Sequence, residues 1–173
     1  MREPGSSQLK IATAVEMQAL GVALGAALRE HHGRPLLVAI TGELGVGKTV
    51  LVGGILNAFG TLGPVRSPTY TLIEPYVLLG RPIYHLDLYR LNDAAEIEAL
   101  GVRDLFDTDA LLLVEWPERA AGVLPPADVA VEISYDYQAV ARAVRISGSG
   151  PAGVAIVQST QDKFSSGSAN PSA

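Results

Sequence analysis

The segment GELGVGKT, residues 42–49, constrains the fold of this chain more than any other stretch of its sequence. It matches the phosphate-loop pattern G-x-x-x-x-G-K-[S/T] at every fixed position. The apolar run LLVAI, residues 36–40, predicts a buried strand directly before the loop, and residues 48–59 predict a helix that Gly60 ends. A strand, a glycine-rich loop and a helix in this order are typical of an α/β domain with a parallel sheet.

The residue types in this loop suit the binding of a nucleotide's phosphates. Its glycines let the backbone turn N–H groups inward around phosphate oxygens, and the following helix offers further free N–H donors. Lys48 can reach the β and γ phosphates, and the Thr49 hydroxyl can coordinate Mg²⁺. The alternative is a glycine-rich turn without a ligand, but a chance match is on the order of one in a hundred. The predicted phosphate-binding residues are Gly42, Glu43, Leu44, Gly45, Val46, Gly47, Lys48 and Thr49.

A phosphate loop needs a carboxylate to complete its metal site, usually at the end of a neighbouring hydrophobic strand. Glu115 ends the apolar run LLLVE and is the stronger candidate, so Thr49 and Glu115 are the predicted metal ligands. Asp87 ends IYHLD, also at a predicted strand end. From spacing alone, a functional role for Asp87 and a structural role as a strand cap or arginine partner are equally supported.

Three further features lie near these strands. His85 alternates with Leu86 and is interpreted as a half-buried histidine with a structural role. Trp116, the one tryptophan of the chain, belongs either to the core or to a cover over the nucleotide site. The segment SPTY, residues 67–70, is either a turn or a switch loop that senses the γ phosphate.

Composition limits the class of protein. With 173 residues, 48% of them hydrophobic and 18% charged, the chain is expected to fold as one globular domain. A net charge of -5 argues against a surface that binds nucleic acid throughout. The chain has no cysteine, no signal-peptide pattern and no apolar run of about 20 residues. These features predict a cytoplasmic protein without a membrane partner.

The elements along the chain predict an α/β fold of the P-loop NTPase type. We expect three layers, with a central, mostly parallel sheet and short antiparallel additions. Helices are predicted over 13–30 and within 92–106, strands over 83–88 and 110–116, and hairpins near 70–79 and 129–147. The expected organisation is a flexible N-terminus (1–10), a P-loop ATPase domain (11–147) and a flexible C-terminal tail (148–173).

Three classes of nucleotide-using protein fit a phosphate loop. A regulatory GTPase is the weakest, because the sequence has no N-K-x-D, T-K-x-D or D-x-x-G motif. A small-molecule kinase usually carries an arginine-rich lid, and no insertion of that kind is apparent. An ATPase whose hydrolysis drives a partner is therefore favoured, and a P-loop small-molecule kinase is the alternative.

The motifs taken together resemble one family. GELGVGKT, VRSPTYTLIEPY, YHLDLYRL, EIEALGVRDLF and LLLVEWPERA occur in the order and spacing of the bacterial TsaE (YjeE) ATPases of tRNA threonylcarbamoyladenosine biosynthesis. The similarity covers about residues 10 to 147. It is specific, because SPTYTL and HLDLYRL are not general phosphate-loop motifs.

The resemblance implies a function that spacing alone does not. Members of this family are cytoplasmic, bind ATP and Mg²⁺, and act on the TsaB–TsaD complex, which forms the threonylcarbamoyl group on adenosine 37 of tRNAs that read codons beginning with A. Their ATPase activity is weak without these partners, and tRNA is expected to be reached through the complex. By position, Lys48 would bind phosphate, Thr49 and Glu115 would serve the metal, and Asp87 would take part in hydrolysis. Asp87 and Glu115 are therefore the candidate catalytic residues.

Overall fold

The computed structural model describes residues 5–92, 94–107, 109–137 and 140–168. Seven strands in these segments form one sheet in the order β1-β7-β6-β2-β5-β4-β3. The strands are β1 (Ser6–Ile11), β2 (Leu36–Gly42), β3 (Ile73–Leu78), β4 (Arg81–Asp87), β5 (Leu111–Glu115), β6 (Val129–Asp136) and β7 (Ala141–Gly148). The four adjacent strands β6, β2, β5 and β4 are parallel, and the other pairings are antiparallel.

Helices cover both faces of the sheet. They are α1 (Ala14–Arg29), α2 (Lys48–Ala58), α3 (Ala94–Ala99) and α4 (Gly150–Ser168), with 3-10 helices at Val102–Asp107 and Pro117–Ala120. The predicted three-layer α/β fold is confirmed. Within the described part of the chain, no helix combines the length and the apolar composition that crossing a bilayer would require.

Two apolar cores follow from the alternation of side chains along β5. Leu111 and Leu113 pack in the core formed with α1, α2 and α4, whereas Leu112 and Val114 pack on the opposite side, with α3 and the 3-10 helices. All four side chains are fully buried, which explains why this strand is a continuous apolar run and not an alternating one.

The register of the parallel strands places several predicted residues at one edge of the sheet. Asp87 of β4 is paired with Glu115 of β5, and Glu115 is also paired with Ile40 of β2. The phosphate loop leaves β2 at the same edge, because the carboxyl ends of parallel strands lie together. The candidate site therefore forms where β2, β4 and β5 end.

Glycines let α1 and α2 approach each other closely. A Cβ atom added to Gly54 would lie 2.2 Å from the Gln18 carbonyl oxygen, and one added to Gly21 would lie 2.3 Å from the Leu51 carbonyl oxygen. The close contact of Gly54 is therefore with α1. A Cβ atom added to Gly53 would lie 3.7 Å from Val65 Cβ, which is an ordinary van der Waals distance.

The N-terminal segment differs from its predicted flexible character. Residues Ser6–Ile11 form strand β1, which pairs antiparallel with β7, and Ile11 is fully buried. The backbone groups of β7 would otherwise form an open sheet edge, so pairing with β1 satisfies them. Directly after this strand, the Glu16 N–H donates to the Thr13 hydroxyl at 3.1 Å, which caps the start of α1.

The C-terminal segment also differs from the prediction of a flexible tail. Residues Gly150–Ser168 form α4, whose buried positions Gly153, Ile156, Val157 and Thr160 recur at helical spacing. A Cβ atom at Gly153 would lie 2.2 Å from the Asp128 carbonyl oxygen, so the helix lies directly on the backbone before β6. Small and polar residues dominate this segment, and they obscured a narrow apolar stripe that packs in the core.

Candidate functional site

The phosphate loop has the left-handed backbone that its glycines permit. Gly42, Gly45 and Gly47 have φ angles of 147°, 75° and 118°. At Gly42 a Cβ atom would lie 2.3 Å from the Ile133 carbonyl oxygen of β6, so no other residue fits there without a shift of the backbone. Gly47 is the N-cap of α2 and provides no side-chain hydrogen bond to the helix. The positive end of α2 is therefore directed at the loop.

Lys48 lies within the loop and is almost fully buried, with 5% of its surface exposed. Its Nζ donates to the carbonyl oxygens of Gly42 at 2.6 Å and Glu43 at 2.7 Å. The Trp116 ring centroid lies 4.1 Å from the same atom. Burial lowers the pKa of the Lys48 ammonium, and the charges of Glu115 and Asp87 partly oppose that shift. The site thus holds a cation between the loop carbonyls and two carboxylates.

Thr49 and Glu115, the two predicted metal ligands, are in direct contact. The Thr49 hydroxyl donates to Glu115 Oε1 at 3.0 Å and lies 3.3 Å from Oε2. Glu115 is 2% exposed, because it ends the buried strand β5 beneath the loop. The structure brings together the two predicted oxygen ligands from elements that are distant in sequence.

His85 was interpreted as a half-buried residue, and this expectation was wrong. Its side chain is fully buried, and Nε2 lies 2.8 Å from Glu115 Oε1. Residues two apart on a strand lie on the same face of the sheet, and so do residues paired across neighbouring strands. His85, Asp87 and Glu115 therefore lie on one face of the sheet. Strand alternation places His85 and Asp87 on one face, but only the pairing of β4 with β5 gives His85 its partner.

Asp87 holds the segment that follows α2. Its Oδ2 accepts hydrogen bonds from the hydroxyls of Ser67 and Thr69, the latter at 3.0 Å, and its Oδ1 accepts from the Tyr89 N–H at 3.0 Å. Ser67 and Thr69 are also 2.8 Å apart through their hydroxyl oxygens. Because Asp87 is 4% exposed, these donors compensate for the burial of its charge. The SPTY segment is therefore tied to the candidate site by its hydroxyls.

Trp116 lies between the second core and the candidate site. Its backbone is in the left-handed region, with φ 58°, and its ring packs against Tyr89 with centroids 5.1 Å apart. The ring also contacts the second core and covers the Lys48 ammonium. A half-buried tryptophan thus closes one side of the site.

These side chains surround one cavity of about 310 Å³. Of the predicted phosphate-binding residues, Leu44, Gly45, Gly47, Lys48 and Thr49 line it, together with Val50, Ser67, Thr69, Asp87, Tyr89, Glu115 and Trp116. Gly42, Glu43 and Val46 are not among the lining residues. The carbonyls of Gly42 and Glu43 hold Lys48, and Val46 is a core residue.

Two residues that sequence reasoning missed brace the loop from the β6–β7 hairpin. The Tyr135 hydroxyl donates to the Leu44 carbonyl oxygen at 3.3 Å, and Arg142 Nε donates to the Val46 carbonyl oxygen at 3.3 Å. No local signal marks these residues, since each lies on a strand whose pattern predicts only a hairpin. Their role depends on β6 lying next to β2.

The donor set at Thr49 and Glu115 fits a magnesium ion that arrives with a nucleotide. Within the described ranges, no group of three or more His, Cys, Asp and Glu side chains is arranged to hold a metal by itself. Mg²⁺ is commonly bound through one or two protein oxygens together with substrate phosphates and water. A hydroxyl and a carboxylate 3.0 Å apart beside a phosphate loop match that pattern.

Comparison with known proteins identifies close sequence relatives. Residues 11–144 match the family model described as threonylcarbamoyl adenosine biosynthesis protein TsaE. A protein of that pathway, TsaE from Haemophilus influenzae, is 49% identical over 108 residues, which cover 62% of this chain and 68% of the relative. TsaE from Rickettsia bellii is 33% identical over 129 residues, 74% of this chain and 86% of the relative. The match to TsaE from Bacillus subtilis is 37% identical and spans 55% of that protein.

A solved structure shares the fold. The crystal structure of YdiB from Bacillus subtilis superimposes with a TM-score of 0.70 and covers 97% of this chain and 99% of the YdiB chain. The sequence identity is 22%, so this likeness concerns the fold alone. The matched family segment contains the loop, Asp87 and Glu115, whereas helix α4 lies beyond its end.

Proposed function

The chain belongs to the family of the threonylcarbamoyl adenosine biosynthesis protein TsaE, and from this membership we propose that it binds and hydrolyses ATP with Mg²⁺ in support of the threonylcarbamoyl modification of tRNA. The modified nucleotide is adenosine 37 of tRNAs that read codons beginning with A. The protein acts on the TsaB–TsaD complex, which carries out the transfer, and reaches tRNA through that complex.

One observation carries the ATPase part of this proposal. Lys48, Thr49, Asp87 and Glu115 line a single cavity at the carboxyl ends of parallel strands. Ligands of open α/β sheets bind at this edge. The combination of a buried ammonium, a hydroxyl and two carboxylates beside a glycine loop suits the triphosphate of a nucleotide.

Each side chain has a role that follows from its position. Lys48 exchanges the loop carbonyls for phosphate oxygens, because its ammonium already lies at the loop's inner surface. Thr49 and Glu115 would hold Mg²⁺ together with the phosphates. When bound, the metal would supply positive charge that offsets the charge of the phosphates. Trp116 shields the ammonium from water on one side and so strengthens its attraction for the phosphates.

Asp87 couples the segment 67–69 to the phosphates in this proposal. Two hydroxyls and a backbone N–H already donate to its carboxylate, so few acceptor positions remain for a water proton. An altered Asp87 would therefore release Ser67 and Thr69 and change the shape of the site. This contact pattern favours coupling over a role as the general base.

The lining of the cavity supports weak activity of the protein alone. No arginine is among the described residues that line it. In phosphoryl transfer, an arginine supplied by a partner increases turnover by about 10³–10⁵-fold. We therefore expect ATP turnover to depend on a partner that supplies an arginine to the cavity.

The experiment is a phosphate-release assay with ATP, Mg²⁺ and the purified protein, alone and with TsaB–TsaD and tRNA. We expect slow release of inorganic phosphate alone and an increase of roughly tenfold or more with the complex, since the partner supplies charge stabilisation. The kinase alternative predicts transfer of the phosphoryl group to a metabolite instead. The absence of ATP binding in the purified protein would overturn the proposal.

A further inference from the structure

We propose that His85 is a positioning residue that fixes the carboxylate of Glu115 in the orientation needed to hold Mg²⁺. The inference rests on the proposed function, because it gives Glu115 the role of a metal ligand. It assigns a role to a fully buried polar side chain that does not line the cavity.

The contact is short and screened from water. His85 Nε2 lies 2.8 Å from Glu115 Oε1, and the side chains are 0% and 3% exposed. A carboxylate has only acceptor atoms, so Nε2 carries the proton in this hydrogen bond. A hydrogen bond to a charged group at this depth stabilises one orientation of the carboxylate strongly.

The environment of the other ring nitrogen indicates why a histidine is present. Nδ1 is buried and has no hydrogen-bond partner among the described residues. Burying a polar atom without a partner costs free energy that a leucine at this core position would not incur. Packing alone therefore does not explain the residue, whereas the bond from Nε2 to Glu115 does.

His85 and Thr49 both contact Glu115 Oε1, but they differ in their position relative to the metal site. Thr49 also donates to this oxygen, at 3.0 Å. Thr49 lines the cavity and would offer its hydroxyl oxygen to the metal, whereas His85 lies outside the lining and contacts only the carboxylate. His85 is thus a partner that orients Glu115 without itself being a metal ligand. Removing a group that orients a metal ligand typically lowers metal affinity or activity by about 10–100-fold.

The test compares His85→Leu, which has no donor, with His85→Gln, which retains an N–H near the position of Nε2. Ile83→Val, at another fully buried position of β4, is the control for repacking of the strand. ATP affinity is measured in chelator and in Mg²⁺, and Mn²⁺ affinity is measured directly by electron paramagnetic resonance in the presence of ADP. The melting temperature of each variant is recorded alongside.

We expect His85→Leu to bind ATP normally in chelator and to lose about tenfold or more in Mn²⁺ affinity. His85→Gln should recover most of this loss, and Ile83→Val should show none. Wild-type metal affinity in His85→Leu, or equal losses in His85→Leu and His85→Gln, would overturn the proposal for His85. Failure of the wild-type protein to bind ATP at all would overturn the proposed function instead.

A second measurement needs no variant and stays valid if His85→Leu does not fold. The ¹⁵N chemical shifts of the His85 ring in the wild-type protein should show a proton on Nε2. An unprotonated Nε2 could not donate to Glu115 and would overturn the inference.

Discussion

Asp87 and Glu115 are paired in register at the ends of neighbouring parallel strands, so two carboxylates far apart in the sequence lie side by side at one edge of the sheet. Their partners differ. Asp87 accepts from the hydroxyls of Ser67 and Thr69, whereas Glu115 accepts from the Thr49 hydroxyl and lies 2.8 Å from His85 Nε2. We therefore expect the two acids to contribute separately to ATP turnover.

Lys48→Ala should weaken ATP binding by roughly 10- to 100-fold, because one charge-assisted hydrogen bond contributes about 1.5–3 kcal/mol. Titration of a fluorescent ATP analogue measures the affinity. Lys10→Ala, which removes an exposed lysine of β1, should leave the affinity unchanged. Equal affinities in wild type and Lys48→Ala would contradict the assignment of the loop.

Glu115→Gln should reduce Mg²⁺-dependent ATP turnover by about 10-fold or more, because the neutral amide is a poorer ligand for a hard cation. Binding of ATP in chelator should stay close to wild type. The matched control is Glu132→Gln, an exposed position on β6. Full turnover in Glu115→Gln at low Mg²⁺ would remove Glu115 from the metal site.

Asp87→Asn should lower ATP turnover by about tenfold or more while changing ATP affinity little, because it weakens hydrogen bonds to a charged acceptor. Amide hydrogen exchange in residues 67–70 should become faster, since the hydrogen bonds of Ser67 and Thr69 to residue 87 become weaker. Asp104→Asn, at an exposed position, is the control. Lost turnover with unchanged exchange would indicate that Asp87 acts on water directly.

Gly54→Ala should destabilise the protein by about 1–3 kcal/mol, because the new methyl group meets the backbone of α1. Urea denaturation measures this change. Gly53→Ala, one position earlier in α2, has room for the methyl group and should be stabilising by up to about 1 kcal/mol through helix propensity. Similar effects of the two substitutions would contradict the close contact of α1 with α2.

Ile156→Ala should cost about 2–5 kcal/mol of stability, because this α4 side chain is fully buried in the core with α1. Gln158→Ala, on the exposed side of the same helix, should change stability little. Thermal denaturation of both variants measures the difference. A negligible loss in Ile156→Ala would show that the segment after β7 is the flexible tail that its composition suggested.

Part of the site can be predicted from short segments of the sequence, because the residue types in these segments specify the local backbone geometry. The glycine spacing of residues 42–49 requires a left-handed loop, and the apolar runs before it and before Glu115 require buried strands. Successive side chains of the HLD segment on β4 point to opposite faces of the sheet, so His85 and Asp87 lie on the same face. None of these patterns states which strand lies next to which.

The amino-acid sequence by itself determined an α/β fold with a phosphate loop and two acids at strand ends. Only the tertiary structure decided that β4 lies beside β5, which joins His85 to Glu115, and that β1 and α4 complete the sheet and the core. The physical reason is that backbone geometry and side-chain periodicity depend on neighbouring residues, whereas strand order and burial depend on contacts between distant segments. A segment of small and polar residues such as α4 becomes a buried helix only where another surface fits its narrow apolar stripe.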